Sequence, residues 1–138
     1  MIEAEIEVEV PFHDLDPLGV VWHGYYVKYL ELARCKLLDK IKYNYPQMHE
    51  SGFSWPVIDL RLRYPQPARF QQRLNVKAIL VEWENRMKID YLITDAHTAQ
   101  RISRGYTVQV AVDMQKQEMC YESPTCFLEK VQDILSNE

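Results

Sequence analysis

The sequence predicts an α+β domain in which an antiparallel five-stranded sheet wraps around one long central helix. Three observations carry this. Residues 2–10 alternate strictly between apolar and acidic, the next long segment repeats its apolar residues every three or four positions, and four more alternating segments follow, separated by short polar turns. One broadly apolar helix can cover much of the face that such strands share.

Taking the elements in order, Ile2, Ala4, Ile6, Val8 and Val10 point one way and Glu3, Glu5, Glu7 and Glu9 the other, the pattern of a half-buried strand. Pro11 ends it, because proline cannot donate to a sheet ladder. Across residues 24–43, Tyr26, Tyr29, Leu30, Ala33, Leu37 and Ile41 recur at helical spacing, with Lys28, Lys36, Asp39 and Lys40 mainly on other faces. About twenty residues at 1.5 Å each give a helix ~30 Å long. Residues 44–55 contain Pro46, Ser51 and Gly52 and read as a loop with room for a short helical turn.

Four strand signals succeed one another. In "IDLRLRY", Ile58, Leu60, Leu62 and Tyr64 alternate with Asp59, Arg61 and Arg63 before "PQPAR" breaks the run. "RLNVKAILVEW" starts in the same way, but residues 79–81 interrupt it as a bulge or a fully buried stretch would. "RMKIDYLIT" sets Met87, Ile89, Tyr91 and Ile93 on one face, and "GYTVQVAVD" is expected to do the same with Tyr106, Val108, Val110 and Val112. Glu84 with Asn85, and residues 95–100, suit hairpin connections. After Ser123 and Pro124, residues 127–135 suggest a short C-terminal helix. No internal repeat or low-complexity linker divides the chain, so residues 1–138 are expected to form a single domain.

Composition narrows the function classes. A chain of 138 residues buries roughly 68–70% of its unfolded surface without staples. Net charge −4 supplies no overall positive field for nucleic acid or anionic lipid. The opening "MIEAEIEVEV" has neither the basic nor the apolar region of a secretion signal, and no run approaches the roughly 20 apolar residues of a membrane span, so a cytoplasmic location is expected. Cys35, Cys120 and Cys126 lack the paired spacing of a zinc or redox motif and read as reduced structural thiols. GxxxxGK[ST], GxGxxG and GxSxG are all absent, which counts against nucleotide hydrolase, dinucleotide and serine-hydrolase chemistry.

Attention then falls on "HDLDPLGVVWHGYY", residues 13–26. Aspartates, a proline and a glycine are what a turn uses, so a purely structural reading is open. Its position offers a second reading. A helix N-terminus exposes unpaired N–H groups and the positive end of the macrodipole, so an ionised acid beside it and an oxyanion in front of it are both favoured. That pairing suits acyl transfer, with the carboxylate attacking a carbonyl or activating water while main-chain N–H groups receive the charge. His13, Asp14, Asp16 and His23 could also be imagined around a metal, but nothing else in the chain supplies a second ligand group, and no metal is expected.

The stretch "DLDPLGVVWHGYYVKYLELAR", residues 14–34, together with "YPQPARFQQRL", residues 64–74, resembles the hot-dog-fold acyl-CoA thioesterases. The similarity is to the 4-hydroxybenzoyl-CoA thioesterase-like branch that includes the bacterial Tol-Pal-associated enzymes, and the order of elements agrees across nearly the whole chain. The resemblance implies that Asp16 is the catalytic acid, acting as nucleophile or general base toward a thioester carbonyl. It implies that His23 stands at the entrance to the central helix, where its backbone N–H polarises that carbonyl. It puts Gly19, Val20, Val21 and Trp22 in the loop that lets acid and helix end approach, with Gly24 and Tyr25 the remaining expected substrate contacts. Asp14 matches an acidic position to which a loop-ordering role is given. Gln72 departs from the pattern, standing where many relatives carry an acid, which touches substrate contacts rather than the reaction class.

The expected substrate is therefore an acyl-CoA or an acyl-carrier-protein thioester, cleaved without a cofactor. Two copies are expected to pair, as a homodimer or homotetramer, because a helix-wrapped sheet leaves edges uncovered; the resemblance puts the active sites at the subunit boundary. Glu31, about eight positions into the helix and ~12 Å along its axis, is assigned to packing or an interface. His49 and His97 are read as solvated. Among Arg61, Arg63, Arg69, Arg86 and Arg104 some could meet CoA phosphates, but the sequence does not say which. Trp22, Tyr25, Tyr26, Tyr29 and Trp55 are core by default, with any near the mouth free to line an acyl tunnel. The rival reading is a non-catalytic acyl-CoA-binding or scaffold protein. A hot-dog dehydratase is a further rival, but its histidine and second acid have no counterpart here.

Overall fold

In the computed structural model, which describes residues 1–138, β1 (Glu3–Glu9) leads through an irregular loop into α1 (Tyr26–Ile41), α2 (Tyr45–Ser51) and a short β2 (Phe53–Ser54). The long strands β3 (Val57–Arg63), β4 (Arg73–Glu82), β5 (Met87–Asp95) and β6 (Arg101–Gln109) follow, then β7 (Val112–Asp113), β8 (Glu118–Met119) and α3 (Thr125–Ser136). The main sheet is antiparallel with strand order β1-β4-β5-β6-β3. The arrangement is the five-stranded sheet and long helix of the hot-dog fold.

Register explains the core. Val8, Ile6 and Ala4 lie opposite Leu74, Val76 and Ala78, and Val76 and Ala78 in turn lie opposite Ile93 and Tyr91, so one face of three strands is apolar up to Asp95, which faces Leu74 at the strand end. Tyr26, Tyr29, Leu30, Ala33, Leu37 and Ile41 of α1 are buried against it. The helix rests on β1 and β4. Leu60 on the same face of edge strand β3 stays 39% exposed, and the adjacent Ile58 58%. The interruption expected at residues 79–81 is a bulge, with the β4/β5 register shifting between Leu80 and Glu82.

The structure corrects three expectations. The long helix begins later and ends sooner than residues 24–43: a 3-10 turn, His23–Tyr25, precedes it, and Lys42 at φ 65° stops it so that Tyr43 turns back into the core. The loop at residues 44–55 contains a capped helix, in which the Asn44 side chain accepts from Tyr45 N at 2.7 Å and Gln47 reaches back to Asn44 N at 2.9 Å.

The third correction concerns the last long strand. It starts at Arg101 rather than Gly105, and its faces are reversed: Ile89 lies opposite Thr107, Ile93 opposite Ser103, and Tyr106 opposite outward-facing Asp90. A slip of one residue inverts every side chain of a strand. The inward polar groups are largely satisfied, Tyr91 Oη with Thr107 Oγ1 at 2.8 Å, Ser103 Oγ to Arg63 O at 2.7 Å and Gln109 Nε2 to Trp55 O at 2.7 Å.

Gly105 fixes this register. A Cβ there would stand 2.0 Å from the Arg61 carbonyl oxygen, a contact that only backbone movement relieves. Gly105→Ala is therefore expected to loosen β3 from β6 and lower stability by about 3 kcal/mol, measurable as a lower denaturant midpoint. An unchanged midpoint would show that the two strands are not held this closely.

Candidate active site

The loop after β1 is knitted from both sides. Val10 N donates to Gln72 O at 3.0 Å and Val10 O accepts from Gln71 N at 3.0 Å; Leu15 bridges to Val21, and Val20 to Arg69. Between Leu15 and Val21 the chain makes a tight hairpin, in which Gly19 N donates to Asp16 O and Asp16 N to Val20 O, both at 2.9 Å. Gly19, at φ 79°, occupies the left-handed position that closes such a turn. Asp16 is half-buried at its base. Its Oδ1 accepts from Leu18 N at 2.9 Å, and Oδ2 has no protein donor.

Asp14 holds this hairpin to the helix. Its carboxylate is 1% exposed and accepts from Lys28 Nζ and Tyr29 Oη, each at 2.6 Å, while its carbonyl accepts Trp22 N at 3.0 Å. Burial pushes the Asp14 pKa up, but the bonds from Lys28 and Tyr29, with the charges of Lys28 and His13, outweigh it and hold the group below the usual carboxylate value. Tyr29 moves the opposite way, raised by burial and by the Asp14 carboxylate that its hydroxyl serves.

The helix entrance lies next along the chain. Tyr25 N donates to Trp22 O at 2.9 Å, but no loop carbonyl or side chain accepts from the N–H of His23 or Gly24. Two adjacent main-chain donors are thus free at the positive end of α1. The His23 carbonyl accepts from Tyr64 Oη at 3.1 Å, and the exposed His23 ring lies 5.1 Å from Trp22 and 6.4 Å from Tyr64, centroid to centroid. Trp22 folds back over Gly24, where any Cβ would collide with the indole at 2.2 Å, and packs edge-on to Tyr25 at 5.2 Å. Tyr26 accepts from Ala68 N at 3.1 Å, so its hydroxyl hydrogen is left to donate elsewhere. Burial raises the Tyr26 pKa, and the nearby Asp16 charge pushes the same way, keeping it a neutral donor.

The expected site residues thus fall into one neighbourhood of loop and helix entrance, with distinct placements. Asp16 and Gly19 lie in the hairpin, Val20 and Val21 are its bridged arm, and Trp22, His23, Gly24 and Tyr25 form the turn into α1. Glu31 is apart from them: it pairs with Arg34 and lines a cavity of about 530 Å³ between α1, α2 and β2, beside Cys35, Trp55 and Gln109. Gln72 is structural, its Nε2 donating to Asp95 Oδ2 at 2.7 Å and its Oε1 accepting from Arg69 N at 2.9 Å. Sequence reading did not single out Tyr64, which supports the His23 carbonyl, or the pairing of Lys28 with Asp14.

Comparison with known proteins places the chain in a family and a fold. The family model described as "Thioesterase-like superfamily" matches residues 10–134. A curated relative, "Putative esterase sll0410" of Synechocystis, is 32% identical over 127 residues, covering 87% of this chain and 73% of that protein. Among solved structures, a 1,4-dihydroxy-2-naphthoyl-CoA thioesterase from Synechocystis superposes with TM-score 0.84 at 22% identity, covering 95% of this chain and 96% of its own. A DHNA-CoA thioesterase from Staphylococcus aureus gives 0.79 at 24% identity, covering 88% and 81%. At these identities the two structures speak for the fold.

Proposed function

The chain belongs to the thioesterase-like superfamily, and from that premise we propose that it hydrolyses an acyl-CoA to a free acid and CoA. The observation that carries the reading is the half-buried Asp16 carboxylate, with one oxygen unpartnered, in the loop that leads to the free N–H groups of His23 and Gly24. The thioester oxygen rests on those two donors, which receive the negative charge as the tetrahedral intermediate forms. Asp16 either adds to the carbonyl carbon, giving a mixed anhydride that water then hydrolyses to the free acid and the restored carboxylate, or takes a proton from the attacking water; in both routes a C–O bond replaces the C–S bond and the thiolate leaves to be protonated. His23 acts through its main chain, and Tyr64 fixes the orientation of its peptide.

The motif at residues 14–34 supports assignment to the 4-hydroxybenzoyl-CoA thioesterase-like branch with the Tol-Pal-associated enzymes. A second copy completes the site in this proposal. The uncovered edge and apolar face of β3 favour antiparallel pairing between two chains. Centred near Leu60, that pairing carries Tyr64 of one chain to the Pro56 end of β3 in the other, so the Asp16 loop closes over the other copy's 530 Å³ cavity. A dimer, or a tetramer built from two, follows. No helix is long and apolar enough to cross a membrane, and three unpaired cysteines suit a reducing cytoplasm.

A thiol-reactive dye tests the reading on short, long and aromatic acyl-CoAs, with acyl-carrier-protein thioesters in parallel. Thiol release well above background from one acyl class is expected. Tight acyl-CoA binding with no release from any substrate would make the chain a binding or scaffold protein instead.

A further inference from the structure

Five of the eight arginines, Arg61, Arg63, Arg69, Arg101 and Arg104, have no carboxylate within ion-pair distance, whereas Arg34, Arg73 and Arg86 each pair with a glutamate. All five line three adjoining hollows beside β3 and β6 and the loop that follows β3. The largest, about 710 Å³, holds Arg63, Arg101 and Arg104 beside Tyr64. A second, about 370 Å³, shares Gln66 and Gln100 with it and adds Arg69. A third, about 350 Å³, shares Arg63 and Arg104 and adds Arg61 and Lys88 against a single acid, Asp90.

The cross-strand register sharpens the point. Arg63 of β3 lies directly opposite Arg104 of β6, and like charges in that relation destabilise a sheet. A chain of net charge −4 thus maintains an island of unneutralised guanidinium groups at the strand end that leads into Tyr64, whose hydroxyl holds the His23 carbonyl at 3.1 Å. Guanidinium forks match phosphate oxygens in pairs. The largest hollow is of the size that takes a small ligand rather than a protein face.

We propose that the groove of Arg63, Arg101 and Arg104 binds the phosphates of the nucleotide half of CoA, the pantetheine arm running past Tyr64 to the helix entrance. The proposal rests on the thioesterase reading for which end of the ligand lies where. It makes CoA, not a carrier protein with its single phosphate, the thiol carrier that this surface recognises.

Arg63→Ala and Arg104→Glu test it, with adenosine 3′,5′-bisphosphate as a binding probe in calorimetry and acyl-CoA compared with the same acyl group on pantetheine in turnover. Arg104→Glu replaces a repulsive pair by an attractive one, so its Tm should rise while function suffers. Each variant should weaken bisphosphate binding about tenfold. KM for acyl-CoA should rise by a similar factor with little change in kcat, and the preference for acyl-CoA over acyl-pantetheine should shrink accordingly. Bisphosphate binding and CoA preference like the wild type's in both variants would overturn the groove assignment, as would selective loss of carrier-protein substrates. If the wild type cleaves no thioester yet binds the bisphosphate through these arginines, the groove stands and the thioesterase reading falls.

Discussion

Asp16→Asn is expected to lower kcat about 10³-fold while leaving the fold and acyl-CoA affinity in place. The substitution keeps the atom that the loop needs, since an asparagine Oδ1 still accepts from Leu18 N as the aspartate does at 2.9 Å. It removes the negative charge, and with it both the capacity to add to a carbonyl and the capacity to take a proton from water, a loss worth 10²–10⁴ in rate for a positioned base. The His23 and Gly24 donors and the Trp22 and Tyr25 surfaces are untouched. Single-turnover thiol release should therefore slow in step with kcat, while equilibrium binding of acyl-CoA and the thermal midpoint stay near wild type. Turnover close to native in Asp16→Asn would remove Asp16 from the chemistry and leave the free N–H groups without a partner acid. His23→Ala separates main chain from side chain: with its N–H retained, it should cost far less than Asp16→Asn.

Much of this was legible in the sequence because the governing signals are local. The alternation of residues 2–10, the helical stripe from Tyr26 to Ile41 and the broken alternation at residues 79–81 each became the expected strand, helix and bulge. The short helical turn for which residues 44–55 leave room is the helix Tyr45–Ser51, and its start was readable too, since Asn44 and Gln47 at capping-box spacing with Pro46 between them is a helix-start signal. The last long strand failed for a non-local reason. Tyr106 looks like a core residue beside Thr107, yet the close approach of β3 to Gly105 and the hydroxyl partnership of Tyr91 with Thr107 turn Thr107 to the face of Ile89 and Tyr106 to the other, where Val108 is still buried at 1% exposure. At the candidate site the acid and the helix entrance lie within one contiguous segment and could be read together. Tyr64 and the unpaired arginines reach their places through strand pairing between distant segments, and no spacing in the sequence encodes that.

Asp14→Ala is expected to lower stability by about 2–3 kcal/mol, the worth of charge-assisted bonds to a buried carboxylate, seen as a Tm lower by roughly 10 °C. The figure stays below that of a fully buried ion pair because Lys28 is 45% exposed and can be rehydrated, whereas Tyr29 Oη loses its acceptor inside the core. Activity should fall as well, because the same residue joins the Asp16 hairpin to α1, and an ångström of misplacement at a reacting group costs about 10²-fold. The pH dependence separates charge from shape. The folded-state pKa of Asp14 lies below its unfolded value, so its contribution is fully present above about pH 4 and fades as the pH falls through the lowered native value. Asp14→Asn keeps the shape without the charge. Its stability curve should therefore run below the wild type's above about pH 4 and converge with it on further acidification, the difference curve cancelling other carboxylates such as Asp95, which Gln72 and the Thr98 and His97 N–H groups hold at about 2. A constant offset between the two curves across the acid range would mean that the Asp14 carboxylate is not held by its charge, and that Lys28 does not restrain the loop carrying Asp16.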